Sequence, residues 1–398
     1  MQQNDLTTSS QRIRCVQSPV VPVVADLIRA TPGTISLGQG VVCYGPPDAA
    51  LRNVLAHSKE LNQFYGPVEG IPELAGVLKS KLSEENRISI DERRRLVITA
   101  GANMGFLNAL FAITDPGAEV ILPTPYYFNH EMAVRMLNCE PVCVATDQHF
   151  QIDPDAVAAA LTPRTAAVVT ISPNNPSGAV YPEQALREIN ELCRERGIYH
   201  ISDEAYEYFV YDDLRHFSPA SPETSTPHTI SLFSLSKAYG FSSWRIGYML
   251  IPAHLFEAVR KVQDTNLICP PLASQYAAMG ALESGRGYCD EKIRQIARNR
   301  MFVLDELKKL YCLAGAIRSD GAFYIFLRLR TELHDMNIVK RLIREFRIAV
   351  MPGSAFGMVD GCYLRISYGS LDEATLEEGL CRLVNGLNTI ISVSTMPK

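Results

Sequence analysis

The pattern of apolar and polar positions divides the chain into two regions. From about residue 50 to 280, short runs rich in Val, Ile, Leu or Tyr alternate with longer stretches of helical period. The short runs fall at 96–99, 119–122, 166–171, 199–202, 229–233 and 246–250, each bounded by Gly, Pro, Asn or Ser. Runs that are apolar on both faces suit a mostly parallel sheet covered by helices, so this region predicts an α/β layered domain. After about residue 282 the pattern becomes a long helix over 288–310, strands at 321–327, 346–351 and 362–367, and a helix from 371. That order predicts a smaller α+β domain. The stretch before Pro46 is too short to fold alone and is expected to pack on this second domain. The expected divisions are an N-terminal arm (1–45), a large domain (46–282) and a small C-terminal domain (283–398).

In an open parallel sheet, ligands bind outside the carboxyl ends of the strands, so the polar residues that follow each run carry the information. The first run leads into Gly101-Ala102-Asn103, small residues at a helix start that leave backbone N–H groups open to a phosphate. The second leads into Tyr126-Tyr127-Phe128, which suits either core or a platform for a flat ring. The third ends in Asn174-Asn175-Pro176-Ser177-Gly178, where both asparagines could serve only their own turn. The fourth ends in Asp203-Glu204-Ala205-Tyr206, and its first carboxylate fits a helix cap or a buried functional acid. The fifth ends in Ser234-Leu235-Ser236-Lys237, with Arg245 eight residues on. A second cation near Lys237 would lower the pKa of its amine and favour a neutral nucleophile, while Ser234, Ser236 and Arg245 would suit a dianionic phosphate.

Composition removes several alternatives. A net charge of −5 with 20% charged residues gives no electrostatic footprint for nucleic acid or acidic lipid. No apolar stretch reaches the length of a membrane span, and the polar segment Met1 to Ser10 reads as a frayed arm rather than a secretory signal. The ten cysteines are scattered without metal-ligand spacing, which predicts a reduced, cytoplasmic protein without bound metal. Cys139 and Cys143 fall in a further strand-like run, where burial is the simple expectation.

Taken in order, these motifs resemble the class I/II aminotransferases among fold-type I pyridoxal phosphate enzymes. The resemblance runs from Leu37-Gly38-Gln39-Gly40 to Arg365, and is carried best by Asn175-Pro176-Ser177-Gly178, Asp203-x-x-Tyr206 and Ser234-x-Ser236-Lys237 with Arg245. It implies a mostly parallel seven-stranded sheet and a cofactor held as a Schiff base on Lys237. It further implies that Asp203 pairs with the pyridine nitrogen, supported by His130, and that Asn175 and Tyr206 bond the phenolic oxygen. Tyr127 would stack on the ring. Gly101, Ala102, Asn103, Ser234, Ser236 and Arg245 would hold the phosphate, with Tyr65 lent across a homodimer interface. Arg365 would clamp the substrate α-carboxylate, and Gly40 would bring backbone close to the substrate.

The reaction implied is ping-pong transfer of an α-amino group from an L-amino acid to a 2-oxo acid. Residues 263–268 hold no arginine where dicarboxylate-specific relatives place one. With Asp264 there and Tyr44 as a candidate pocket residue, an aromatic, neutral or basic side chain is expected rather than strictly aspartate. A carbon–sulfur β-lyase on the same scaffold is the alternative. A non-enzymatic ligand-sensing module is disfavoured, because the residues ahead of Leu37 leave no room for a winged helix.

Overall fold

The computed structural model describes residues 9–394 apart from Gln63 and Ala316, so residues 1–8 of the expected frayed arm lie outside the described residues. Seven strands form the main sheet: β1 (Arg94–Thr99), β2 (Glu119–Thr124), β3 (Glu140–Ala145), β4 (Thr165–Ile171), β5 (Tyr199–Asp203), β6 (Thr229–Ser234) and β7 (Gly247–Pro252). Their spatial order is β1-β7-β6-β5-β4-β2-β3. All neighbours run parallel except β7, which is antiparallel to both β1 and β6.

Alternation within the strands shows why both faces are covered. Val97, Val120, Leu122, Val169, Leu232 and Met249 pack into one apolar cluster, and their neighbours Ile98, Ile121, Val168, Phe233 and Leu250 pack on the opposite side. Burying each such side chain contributes about 1.5–3 kcal/mol. β3 is the strand-like run noted at Cys139 and Cys143. It is an edge strand whose side chains alternate, so Cys139 just before it is buried, whereas Cys143 is exposed, contrary to expectation.

The C-terminal region builds a separate three-stranded antiparallel sheet. Its central strand β9 (Cys362–Ser367) lies between β8 (Tyr324–Leu329) and the two-residue strand Met351–Pro352. Helix Asp335–Phe346 packs on it, and helix Glu373–Ser394 packs in turn on that helix and on Gly285–Leu307. The single strand expected over 346–351 is broken into three parts. Phe346 ends the helix Asp335–Phe346, and Arg347 turns the chain at φ +56°. Ile348–Ala349 then pairs in parallel with Ile35–Ser36, while Met351–Pro352 joins the other sheet. A continuous apolar run does not reveal such breaks, because burial alone fits helix and strand equally. The pairing at Ile35–Ser36 places the N-terminal segment on the C-terminal region.

Candidate active site

The carboxyl ends of β4, β5 and β6, the start of helix Ala102–Ile113 and the strand β9 converge on one cavity of about 310 Å³. Gly40, Ala102, Asn103, Tyr127, Asn175, Asp203, Tyr206, Ser234, Ser236, Lys237, Arg245 and Arg365, all named from the sequence, line it. Gly101 caps the helix at φ +84°, a conformation that favours glycine, and a side chain there would collide with Arg245.

At the base, Lys237 Nζ donates to the carbonyl of Gly40 at 2.6 Å. Loss of solvent, then the charges of Arg365 and Arg245, lower its pKa to about 8 against the opposing pull of Asp203. Asp203 Oδ1 accepts from Ala205 N–H at 3.0 Å, the turn contact that a capping residue would make. Its other oxygen lies 3.2 Å from His130 Nε2, and the His130 ring stacks on Phe106 at 3.9 Å. The carboxylate is therefore buried and also holds the turn that follows β5.

The two asparagines divide their work. Asn174 Oδ1 accepts from the Ser177 backbone and hydroxyl, so it serves the turn. Asn175 Oδ1 instead accepts from Arg365 Nη1 at 2.9 Å. Arg365 Nη2 donates to Gly38 O at 2.6 Å, and its buried Nε has no protein partner. Arg365 is 3% exposed, which excludes the ordinary surface ion pair as its role. On the phosphate side, Ser236 N–H donates to Ser234 Oγ at 3.1 Å, and Arg245 Nη1 donates to Ser242 O at 3.0 Å. The N–H groups of Ala102 and Asn103 lie in the helix's first turn, where no intrahelical acceptor exists. Tyr127 is held through its hydroxyl by Asn129 at 2.9 Å and Asn103 at 3.4 Å.

Three residues sit differently. Tyr44 does not line the cavity; its hydroxyl donates to the carbonyls of Lys237 and Ala238, at 3.2 and 3.3 Å. It therefore braces the backbone behind the lysine. Tyr65 is 78% exposed and outside the cavity of its own chain, and Asp264 is exposed on helix Phe256–Asn266. Several lining residues were not foreseen, Val21 and Tyr324 among them. Val21, from helix Val20–Arg29, lies at the cavity, and Tyr324 in β8 bonds Tyr206 hydroxyl to hydroxyl at 2.6 Å. A signal for Tyr324 existed: Phe326 pairs with Arg365, and a residue two positions away along a strand shares its face.

The sequence model for aminotransferase class I and II matches residues 32–383. The chain belongs to this family. It is 34% identical to an aromatic aminotransferase of Arabidopsis thaliana, over 96% of this chain and 97% of that one. It is 33% identical to an aspartate aminotransferase of Pyrococcus abyssi, over 94% and 97%. Among solved structures it superposes on Pyrococcus protein-A1 with a TM-score of 0.90 at 33% identity, covering 95% of this chain and 98% of that one. As a class I/II aminotransferase it is a transferase that uses pyridoxal phosphate, with amino acids and 2-oxo acids as substrates. The cavity fits that group. Its lining carries three cations, Lys237, Arg245 and Arg365, against the single carboxylate of Asp203, an excess of positive charge that a dianionic phosphate would offset. Among the described residues no cluster could hold a metal ion, and no helix is long and apolar enough to cross a membrane.

Proposed function

We propose that this aminotransferase holds pyridoxal phosphate covalently through Lys237 Nζ and acts on amino acids with aromatic or other non-acidic side chains. The observation that carries the site assignment is the excess of cations in the cavity, placed at three separate points. Ala102, Asn103, Ser234, Ser236 and Arg245 would hold the phosphate, with Asp203, kept in place by His130, at the pyridine nitrogen. When bound, the cofactor supplies an electron-withdrawing ring that makes a substrate Cα–H acidic. Arg365 binds and orients the substrate α-carboxylate through a planar fork of donors. Lys237 Nζ, whose pKa burial and the nearby arginines lower to about 8, would take the Cα proton. Tyr206 and Asn175 would donate to the phenolic oxygen, and Tyr127 would wall the ring.

The leaning toward non-acidic side chains is supported by Val21, Val41, Phe128 and Ile171 in the lining, and by aromatic specificity in the Arabidopsis relative's name. The Pyrococcus abyssi relative is named for aspartate, so the panel below must include it. We further propose a homodimer in which Tyr65 reaches the partner's phosphate site. Phe64 and Tyr65 are 81% and 78% exposed in the single chain, an apolar surface that suits burial against a second copy. We place a domain boundary at about residue 282, between the seven-stranded and three-stranded sheets, and the protein in the reducing cytoplasm, which ten free thiols suit.

Mixing the holoenzyme with single amino acids and following the visible absorbance tests the reading. Conversion with phenylalanine or tyrosine at a higher second-order rate than with aspartate is expected. A preference for aspartate overturns the substrate assignment. Release of ammonia and pyruvate from a cysteine conjugate without a 2-oxo acid would replace transfer by elimination.

A further inference from the structure

Tyr324 is fully buried, and its hydroxyl has one hydrogen-bond partner among the described residues, the hydroxyl of Tyr206. Its ring lies beneath the Arg365 guanidinium, 4.6 Å from centroid to Cζ. On the far side, a side chain at Gly40 would collide with the Tyr324 hydroxyl, so the backbone closes off any retreat. The hydroxyl is therefore confined between Gly40 and Tyr206, under the cation that is assigned to the substrate carboxylate.

We propose that Tyr324 is a positioning residue that sets the direction of the Tyr206 proton. Its O–H donates to Tyr206 Oη, which leaves the Tyr206 O–H to donate into the cavity. The proposal rests on the reading that Tyr206 faces the cofactor's phenolic oxygen. Direction follows from charge. Burial raises the pKa of both phenols and Arg365 lowers both, but its guanidinium lies directly over the Tyr324 ring, which makes Tyr324 the readier donor. The more acidic phenol is the better donor, and a hydroxyl that accepts a hydrogen bond donates more strongly in turn. A carboxylate bound to Arg365 offsets the cation over Tyr324, so the same contact conveys substrate binding to Tyr206. It runs beside the direct contact of Arg365 with Asn175. The other groups that face this pair are Tyr127, Tyr368 and Lys237, whose Nζ is 5.8 Å from the Tyr206 ring; Lys237 in turn faces Arg365, Arg245 and Asp203.

The test is a pH titration of the holoenzyme's visible absorbance. Hydrogen bonds to the phenolic oxygen favour its charged form and lower the midpoint, so Y206F should raise it by about one unit. Y324F should raise it by roughly half a unit, and Y206F/Y324F should match Y206F alone. Saturating 3-phenylpropanoate should raise the wild-type midpoint, and Y324F should respond less. G40A crowds the same hydroxyl and should raise the midpoint; because the Gly40 carbonyl also accepts from Lys237 Nζ, the part of that shift that Y324F abolishes is the part carried by Tyr324. A Y324F midpoint equal to wild type overturns the proposal, as does a Y324F shift that persists in full on the Y206F background. Should Y324F not fold, an unmoved midpoint in G40A decides against it. If instead K237A retains the titrating absorbance, the assignment of Lys237 fails, which is a separate result.

Discussion

Lys81 and Lys237 are both enclosed by protein, and the chain surrounds them with opposite chemistry. Lys81 Nζ meets Glu207 at 2.6 Å, Asn86 Oδ1 at 2.8 Å and Glu85 at 3.8 Å. Glu207 belongs to the turn that carries Asp203 and Tyr206, and Lys81 ties that turn from behind. Lys237 meets a neutral carbonyl and is pressed by the charges of Arg365 and Arg245. Lost solvent lowers the Lys237 pKa most and the two arginines add to it, whereas at Lys81 carboxylates sit against the ammonium. Oxygen anions around an ammonium make a structural tie, whereas cations around it make a base.

The largest effect should come from exchanging these roles. K237A should lower kcat/KM by roughly 1,000-fold or more while the thermal melt stays near wild type. K81A should leave the bound-cofactor absorbance intact but cost about 3 kcal/mol in urea unfolding, because it strands Glu207. Loss of the absorbance in K81A, or a stability loss of that size in K237A, would break the contrast. Next in size, R365K removes the fork of donors on Gly38, Asn175 and substrate. KM for the amino acid should rise roughly 30-fold in steady-state assays, with a smaller change in kcat.

The pH dependence sharpens the contrast on the side of Lys237. Apoprotein should capture pyridoxal phosphate at a rate that climbs with a midpoint near pH 8, since attack needs the neutral amine. R365Q removes the strongest charge acting on that amine, and the midpoint should move up toward the ordinary 10.5. The sign for stability is the same. A folded pKa below the unfolded one means that the unfolded chain binds the proton more tightly, so this site costs stability below pH 8. The cost is relieved as pH rises from about 8 to 10.5 in the apoprotein. Least affected should be Y44F, which loses the hydroxyl's contacts with the carbonyls of Lys237 and Ala238. About 1 kcal/mol of stability in chemical denaturation is expected, with the cofactor retained.

The cofactor end of the site was legible because the parallel strands are mainly apolar and the denser polar runs follow where they stop. Asn175, Asp203 and Lys237 therefore stood out against Ile171, Ile201 and Phe233. The division of labour between Asn174 and Asn175 was not legible, since neighbouring asparagines in a turn look alike until the tertiary partner Arg365 is in place. Tyr324 was read as part of an apolar run, because a buried tyrosine differs from a phenylalanine only by a hydroxyl whose partner lies far along the chain. Tyr44 was misplaced for the converse reason: a tyrosine near a site can point its polar end at backbone. β3 was seen only as a strand-like run, because an edge strand half open to solvent lacks the apolar signature of the interior ones.

The contacts made by residues 35–40 also order events during synthesis. Ile35–Ser36 pairs with Ile348–Ala349, and Gly38 accepts from an arginine 327 positions later. At about 5–20 residues per second, the ribosome delivers those partners tens of seconds after the segment itself emerges. The nascent chain can build its seven-stranded sheet, with Lys237 at the end of it, before Arg365 is made. On the roles proposed for these two residues, the growing chain would offer a place for the cofactor before it could recognise an amino acid.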